Sequence, residues 1–105
     1  MLLIMFRSKL VSSARSDGYS EMADEMDQLV RTMPGFIDAK AFTAEDGERL
    51  TVIWWQDEET LRAWREQARH RIAQRLGRER WYEYYKLDVA HIVRSNEFVR
   101  QIQPN

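Results

Sequence analysis

The chain has 105 residues, of which 44% are hydrophobic and 31% are charged, and its formal net charge is −1. This composition excludes a disordered or fibrous chain and predicts one globular domain over residues 1–105, without a positive field to attract nucleic acid or an anionic membrane. Because the sequence contains no cysteine, it also excludes disulfides, thiolate metal sites and cysteine nucleophiles, which is compatible with a reducing compartment.

The first strand is predicted over residues 2–11, where apolar side chains occupy alternate positions from Leu2 to Leu10. The apolar start of this segment meets Arg7, so it is too short to span a membrane. It also lacks the basic start and the cleavage site of a signal peptide. We therefore expect a cytoplasmic protein with no membrane partner.

The first helix has the clearest pattern in the sequence. Its apolar residues recur at spacings of three and four: Tyr19, Met22, Ala23, Met26, Leu29, Val30 and Met33. At about 100° per residue they fall within an arc of about 120°, which is the width of a stripe that faces a core. Pro34 and Gly35 then end the helix, since proline cannot continue it and glycine permits the chain to reverse.

A hairpin is predicted after this helix, with strands at residues 36–44 and 50–56. Asp46-Gly47 lies between the strands and supplies the positive φ angles that tight turns need. The second of these strands is apolar on both faces, and such a strand is normally buried on both faces.

A second helical region follows Asp57, a good N-cap residue that Thr60 can assist. Its apolar residues are Leu61, Trp64, Ala68, Ile72 and Leu76. Gly77 marks an end or a break. Residues 81–94 alternate strongly and predict a long last strand, while the tail after Asn96 is assigned to no element.

The order of these elements, β-α-β-β-α-β, predicts a ferredoxin-like α+β fold, in which an antiparallel four-stranded sheet carries two helical regions on one face. The other face then lacks a cover, although the third strand and most of the first are apolar on that side. Soluble proteins of this size seldom expose such a face. The simplest cover is a second copy, packed sheet against sheet, so we expect a homodimer.

Seven arginines lie close together in the second half of the chain, at positions 62, 65, 69, 71, 75, 78 and 80. They indicate either a surface for nucleic acid or phosphate, or a solvated helix face with nearby counter-charges from Glu58, Glu59, Glu66 and Glu79. The near-neutral charge of the whole chain favours the solvated face and no nucleic-acid partner.

Several short motifs carry a family resemblance. They are Met33-Pro34-Gly35-Phe36, Trp54-Trp55-Gln56-Asp57-Glu58-Glu59 before a helix with Leu61 and Trp64, His70-Arg71-Ile72-Ala73-Gln74 leading to Gly77-Arg78-Glu79, and Trp81-Tyr82-Glu83-Tyr84-Tyr85. Over roughly residues 2–94 the chain resembles the antibiotic biosynthesis monooxygenase family of dimeric α+β barrels. The resemblance implies two facing sheets in a homodimer, with a pocket between the sheet and the helices of each subunit.

The resemblance also implies chemistry, although a fold alone does not fix a reaction. Members of this family oxidise polycyclic aromatic substrates with O2 and without metal or flavin. We therefore expect a cofactor-independent monooxygenase of an aromatic or phenolic small molecule. Haem binding and degradation is the alternative, since the haem-degrading relatives use a histidine on the second helical region and a nearby tryptophan, as His70 and Trp64 are here, although the spacing between the two is shorter in this chain. That branch also uses an asparagine on the first strand, and none lies between Met1 and Val11. A non-catalytic dimeric ligand-binding module is a third possibility.

His70 and Trp64 are the catalytic candidates. Neutral imidazole can remove a phenolic proton or ligate iron. On an unbroken helix, however, His70 would lie about 180° from Leu61 and act as a surface or packing residue. A break after Trp64 would turn it toward the pocket. The indole of Trp64 can stack on a planar substrate or belong to the core.

The substrate-binding candidates are Arg7, Trp55, Tyr82 and Tyr85. Trp54 and Trp55 point to opposite sides of their strand, and the alternation does not decide which faces the pocket. The tyrosines either orient a substrate or pack.

Arg7, a charge on an apolar strand, needs a partner. We expect an ion pair with Asp88 or Glu83, or contact with an anionic substrate oxygen. His91 is expected to be a core or interface histidine. The sequence contains no phosphate-binding loop, serine-nucleophile motif or zinc-type spacing.

Overall fold

The computed structural model describes residues 1–102. Its regular elements are β1 (Leu2–Leu10), α1 (Tyr19–Val30), β2 (Phe36–Thr43), β3 (Arg49–Trp55), α2 (Glu58–Glu66), α3 (Ala68–Leu76) and β4 (Tyr82–His91). A 3₁₀ turn at Ala14–Asp17 precedes α1, and a π-helical turn at Gly77–Trp81 precedes β4. Within the described residues, no helix is both long and apolar enough to cross a membrane.

The four strands form one antiparallel sheet in the order β2-β3-β1-β4. This arrangement confirms the predicted ferredoxin-like α+β fold. In the register, Ile4 of the central strand β1 lies across from Ile53 on β3 and from Val89 on β4. Because side chains alternate along a strand, these residues share one face of the sheet. Both helical regions cover that face, and the core between them contains Leu2, Ile4, Val30, Trp55, Leu61 and Trp64.

A chain of hydrogen bonds fixes the start of α2 against the end of β3. Trp55 Nε1 donates to Thr60 Oγ1 at 2.9 Å, and Asp57 Oδ1 accepts from the Thr60 backbone N–H at 2.9 Å. The predicted N-cap at Asp57 is therefore confirmed. Gly35 lies beside Trp55 and Thr60, and its φ angle is +91°. A Cβ at residue 35 would come within 2.1 Å of Thr60 Oγ1. Only glycine fits this turn.

Helix α1 ends at Val30, three residues before the predicted end at Met33. The backbone N–H groups of Thr32 and Met33 donate to the carbonyls of Leu29 and Val30. These hydrogen bonds join residues three apart instead of four, as in a 3₁₀ turn. The α-helix therefore ends before Pro34.

Within residues 1–102, no helix packs on the second face of the sheet. Its centre is apolar and contains Leu3, Met5, Leu50, Val52 and Trp54. Arg7 also lies on this face, where its Nη2 is 3.0 Å from Glu48 Oε1. The predicted pairing of Arg7 with Asp88 or Glu83 is wrong, because the register places the like-charged Lys86 directly across from Arg7 on β4.

Two arginines of the predicted solvated face form ion pairs with acids from the N-terminal part of the chain. Arg69 binds Glu25 of α1, with Nε 2.6 Å from Oε2, and Arg80 binds Asp17. The hydrogen bond with Asp17 raises the pKa of Arg80, and the neighbouring Glu79 also acts as a counter-charge that raises it. A core position for His91 is wrong as well, since its side chain is 74% exposed and lies 3.7 Å from Glu58. An interface role for His91 stays a prediction.

Candidate active site

A cavity of about 500 Å³ lies between the helix-covered face of the sheet and the helices. Its size falls in the range of small-molecule sites, roughly 300–1,000 Å³. Phe6 and Ile53 contribute from the sheet, and Met22 and Met26 from α1. Three β4 residues on this face, Tyr85, Leu87 and Val89, are 40–46% exposed, so the cavity opens toward that edge of the sheet. A mainly apolar lining suits a hydrophobic ligand.

A break in the second helical region brings His70 to this cavity. Helix α2 ends at Glu66 and α3 begins at Ala68, because Gln67 between them is extended, with φ −62° and ψ 129°. The Gln67 side chain accepts a hydrogen bond from the backbone N–H of His70 at 3.0 Å and thereby caps α3. On an unbroken helix His70 would face away from the sheet. With the break, it lines the cavity together with Trp64.

The hydrogen bond of His70 fixes the position of its proton. Nδ1 lies 3.0 Å from the backbone carbonyl oxygen of Trp64. A carbonyl can only accept, so Nδ1 is protonated and Nε2 carries the lone pair. Burial lowers the pKa of His70 below the ordinary 6.5, and the bond to Trp64 only partly opposes this effect. The imidazole is therefore neutral at pH 7. Among residues 1–102, no hydrogen bond uses Nε2.

Trp64 serves as core and as cavity wall at the same time. Its side chain is 6% exposed and packs with Leu2, Ile4 and Leu61. Its indole also stacks on the imidazole of His70, with the ring centroids 4.1 Å apart and the planes inclined by 13°. The core interpretation of Trp64 therefore holds, and its stack is with the imidazole of His70; contact with a planar substrate stays a prediction.

Tyr82 and Tyr85 both line the cavity, although strict alternation would place them on opposite faces. A bulge where β1 meets β4, between Lys9 and Leu10, shifts the register and lets both rings face the helices. Burial is the main cause that raises the pKa of Tyr82, and the nearby Tyr19 adds to it. The Tyr82 phenol therefore stays protonated at neutral pH.

Gly77 allows the ring of Tyr82 to reach its place. A Cβ at residue 77 would lie 2.5 Å from Tyr82 Cε2, which is closer than any real contact. The π-helical turn that begins at Gly77 ends with Trp81, whose Nε1 donates to the Asp17 carbonyl at 3.0 Å. This turn therefore directs the chain into β4 with Tyr82 facing the cavity.

Two of the predicted substrate-binding residues are not in the cavity wall. Arg7 lies on the uncovered face of the sheet, paired with Glu48. Trp55 faces the helices, but it is 0% exposed and packs edge-on against Phe36 in the core. Its neighbour Trp54 points to the uncovered face. Four of the six predicted site residues thus share the cavity, namely His70, Trp64, Tyr82 and Tyr85.

Among the polar residues of the wall that the sequence did not predict are Arg49 and Tyr19. Arg49 Nη1 donates to the Tyr19 hydroxyl at 3.1 Å. The sequence pattern places Tyr19 in the apolar stripe of α1, and Arg49 lies one residue before the predicted strand. The signal that could have found Arg49 is its spacing, since it falls on the same side of β3 as Thr51 and Ile53. Within the described part of the chain, no group of three or more His, Asp or Glu side chains is placed to hold a metal ion.

The family model for antibiotic biosynthesis monooxygenases matches residues 1–76. The chain belongs to this family. It is 34% identical over 88 residues to the uncharacterized protein YqjZ of Bacillus subtilis (strain 168), covering 84% of this chain and 77% of that protein. It is also 31% identical over 105 residues to the jasmonate monooxygenase ABM of Pyricularia oryzae, covering 95% of this chain but only 48% of the relative. The chain thus spans about half the length of that monooxygenase.

The solved structures agree on the fold. A variant of SnoaB, described as a cofactor-independent oxygenase from Streptomyces nogalater, superposes with a TM-score of 0.75. The match covers 90% of this chain and 94% of SnoaB at 10% identity. At this level of identity the likeness extends to the fold alone.

Proposed function

We propose that the protein is a cofactor-independent monooxygenase of an aromatic or phenolic small molecule, and that the cavity is its substrate site. The observation that carries the proposal is the neutral imidazole of His70, with its lone pair on Nε2, in the wall of an apolar and aromatic cavity. Membership of the monooxygenase family supports it. So do the names of two similar proteins, a jasmonate monooxygenase and a cofactor-independent oxygenase.

In the proposed reaction, His70 Nε2 acts as the general base that removes the phenolic proton. The apolar wall excludes water from the resulting phenolate, which leaves its electrons available to O2. The phenolate reduces O2, and a C–O bond forms at a ring carbon. The peroxide takes the proton back from the His70 imidazolium. Loss of water then leaves a quinone, so that one oxygen atom of O2 enters the product and the other leaves in water.

The aromatic residues orient the substrate in this scheme. The indole of Trp64 holds the imidazole by stacking on it, and its edge borders the cavity, where it can contact a planar ring. Tyr82 is a phenol that stays protonated, because burial raises its pKa. It can therefore donate a hydrogen bond to a substrate oxygen on which negative charge develops. Tyr85 lies at the open side of the cavity, where it borders the entry path.

The test is O2 uptake by chelator-treated protein with a panel of polycyclic phenols. We expect uptake by the unmodified protein and a decrease of about 10²–10⁴-fold in His70→Ala, the usual contribution of a general base. His91→Ala is the matched control, because its imidazole is exposed on β4, and its uptake should not change. Equal rates in both variants would remove the assignment of His70. A folded protein that binds phenols without O2 uptake would instead be a non-catalytic ligand-binding module.

Haem is the second candidate, and the same observation favours it. A neutral imidazole with a free Nε2 can ligate iron, and the cationic Arg49 in the same cavity can face a haem carboxylate. His70 and Arg49 are therefore suitable residues to hold haem, and haem would supply iron-based oxygen chemistry when bound. Titration with haem should then give a Soret shift that is lost in His70→Ala. If the unmodified protein gives no shift, the haem function is excluded.

We also propose that two copies pack through the uncovered faces of their sheets. The apolar centre of this face, with Leu3, Met5, Leu50 and Trp54, supports the pairing, since water would otherwise contact it in every subunit. Sedimentation at micromolar concentration should give a dimer, and Leu50→Glu should shift it to single subunits. A single subunit for the unmodified protein would contradict the proposal.

A further inference from the structure

Arg49 is a cation in the cavity wall whose chemistry the proposed reaction does not use. It is half-buried on the helix-covered face of β3, and its one side-chain hydrogen bond within residues 1–102 goes to the Tyr19 hydroxyl. Four arginines elsewhere pair with a carboxylate, namely Arg7, Arg31, Arg69 and Arg80. Among the described residues, Arg49 has no such partner. A cation in a mainly apolar wall without a carboxylate is costly unless a ligand supplies the charge.

The donors of Arg49 define the kind of ligand that fits. A guanidinium has five N–H donors in a rigid plane, and one bond to Tyr19 leaves most of them free. Two parallel N–H groups of the guanidinium match the two oxygens of a carboxylate. A phenolate has one oxygen and cannot accept this pair of parallel hydrogen bonds in the same way. The other charged residues at the cavity, Asp24, Asp27 and Arg65, are exposed at its rim.

Arg49 is separated along β3 from the part of the cavity that contains His70. Along β3, Arg49 and Ile53 are four residues apart on the same face, which corresponds to about 13 Å. Ile53 packs against the core that contains Trp64, the residue that stacks on His70. The cavity therefore has a cationic end at Arg49 and an aromatic, basic end at His70, with apolar side chains between them.

We propose that Arg49 and Tyr19 form a carboxylate-binding subsite, so that the cavity takes an elongated hydrophobic carboxylic acid with its acid group at Arg49 and its phenolic ring near His70. The proposal deepens the proposed function, on which it rests for the cavity's role as the substrate site. It narrows the substrate class to aromatic or phenolic molecules that also carry a carboxylate.

The test compares 6-hydroxy-2-naphthoate with 6-hydroxy-2-naphthamide, which has the same rings without the charge. Calorimetric titration at pH 7 under anaerobic conditions should give about tenfold or tighter binding of the naphthoate by the unmodified protein, a typical gain for a charged hydrogen bond. In Arg49→Gln this preference should disappear while the affinity for the amide stays unchanged. Arg71→Gln removes the same charge from the exposed surface of α3 and should keep the preference.

Two further variants keep the test decisive. Arg49→Lys should retain a weaker preference, since lysine keeps the charge but lacks the planar fork, and Tyr19→Phe should weaken it only slightly. If circular dichroism shows that Arg49→Gln does not fold, these two variants replace it in the test. Equal affinity for the two probes in the unmodified protein, or a naphthoate preference that survives in Arg49→Gln, would overturn the subsite.

The subsite and the proposed function can fail separately, because the binding assay needs neither O2 nor turnover. An Arg49-dependent preference in a protein that never takes up O2 would support the subsite and remove the monooxygenase. Phenol-dependent O2 uptake without any naphthoate preference would support the monooxygenase and overturn the subsite.

Discussion

The stack of Trp64 on His70 leads to a measurable energetic coupling. The rings are 4.1 Å apart and nearly parallel, and such aromatic pairs contribute about 0.5–1.5 kcal/mol beyond their buried area. Full truncation of a buried tryptophan costs about 3–5 kcal/mol, a large part of a small domain's stability of about 5–15 kcal/mol. Trp64→Leu is therefore the better variant, because it removes the stack but keeps part of the apolar contact with the core.

A double-mutant cycle isolates this interaction. The unfolding free energy is measured in urea at pH 7.5 for the unmodified protein, Trp64→Leu, His70→Ala and the double variant. We expect the sum of the two single losses in unfolding free energy to exceed the loss in the double variant by about 1 kcal/mol. The reason is that the stack is already absent when the second substitution is made. The Nδ1 bond of His70 goes to the backbone of residue 64 and survives in Trp64→Leu. A coupling below about 0.3 kcal/mol, the usual error of additivity, would refute the holding role of Trp64.

Three further predictions follow from the packing and from the histidine. Gly77→Ala should displace the ring of Tyr82, which lies 2.5 Å from the added Cβ, and destabilise the protein by about 1–3 kcal/mol in urea unfolding; an unchanged midpoint would contradict this contact. Gly35→Ala should cost at least about 2 kcal/mol in the same assay, because it combines a positive φ with a clash on Thr60, and a neutral effect would be inconsistent with the turn. Burial lowers the pKa of His70 below 6.5, so the unfolded chain binds its proton at higher pH and stability should fall as the pH drops below about 6.5. His70→Asn should lose that part of the dependence, and an identical pH profile would argue against burial of the imidazole.

Local patterns were sufficient to predict the architecture. The apolar stripe of α1, the Asp-Gly turn and the N-cap at Asp57 each depend on residues within one turn or one strand. The strand predicted at residues 50–56 is present as β3, between β2 and β1 in the sheet. The end of α1 was three residues too late, because the tightening at Thr32 and Met33 leaves the apolar spacing unchanged while it alters the hydrogen bonds.

The site itself depends on irregularities that spacing does not encode. His70 reaches the cavity only because Gln67 breaks the helix, and Tyr82 only because a bulge shifts the register of β4. Arg7 and Trp55 were chosen by residue type, yet strand alternation places the first on the far face and packing closes off the second. Arg49 is absent from the predicted site because β3 begins at residue 49, one residue earlier than the apolar pattern from Leu50 indicates.

The proton on His70 is the most direct test of the central claim, that a neutral imidazole presents a free Nε2 to the cavity. Long-range ¹H–¹⁵N NMR distinguishes the two ring nitrogens, and the chain contains only two histidines, so the variant His91→Asn assigns the spectrum. At pH 7 we expect the proton on Nδ1, an unprotonated Nε2, and titration below pH 6.5. A proton on Nε2, or an imidazolium at neutral pH, would contradict the claim.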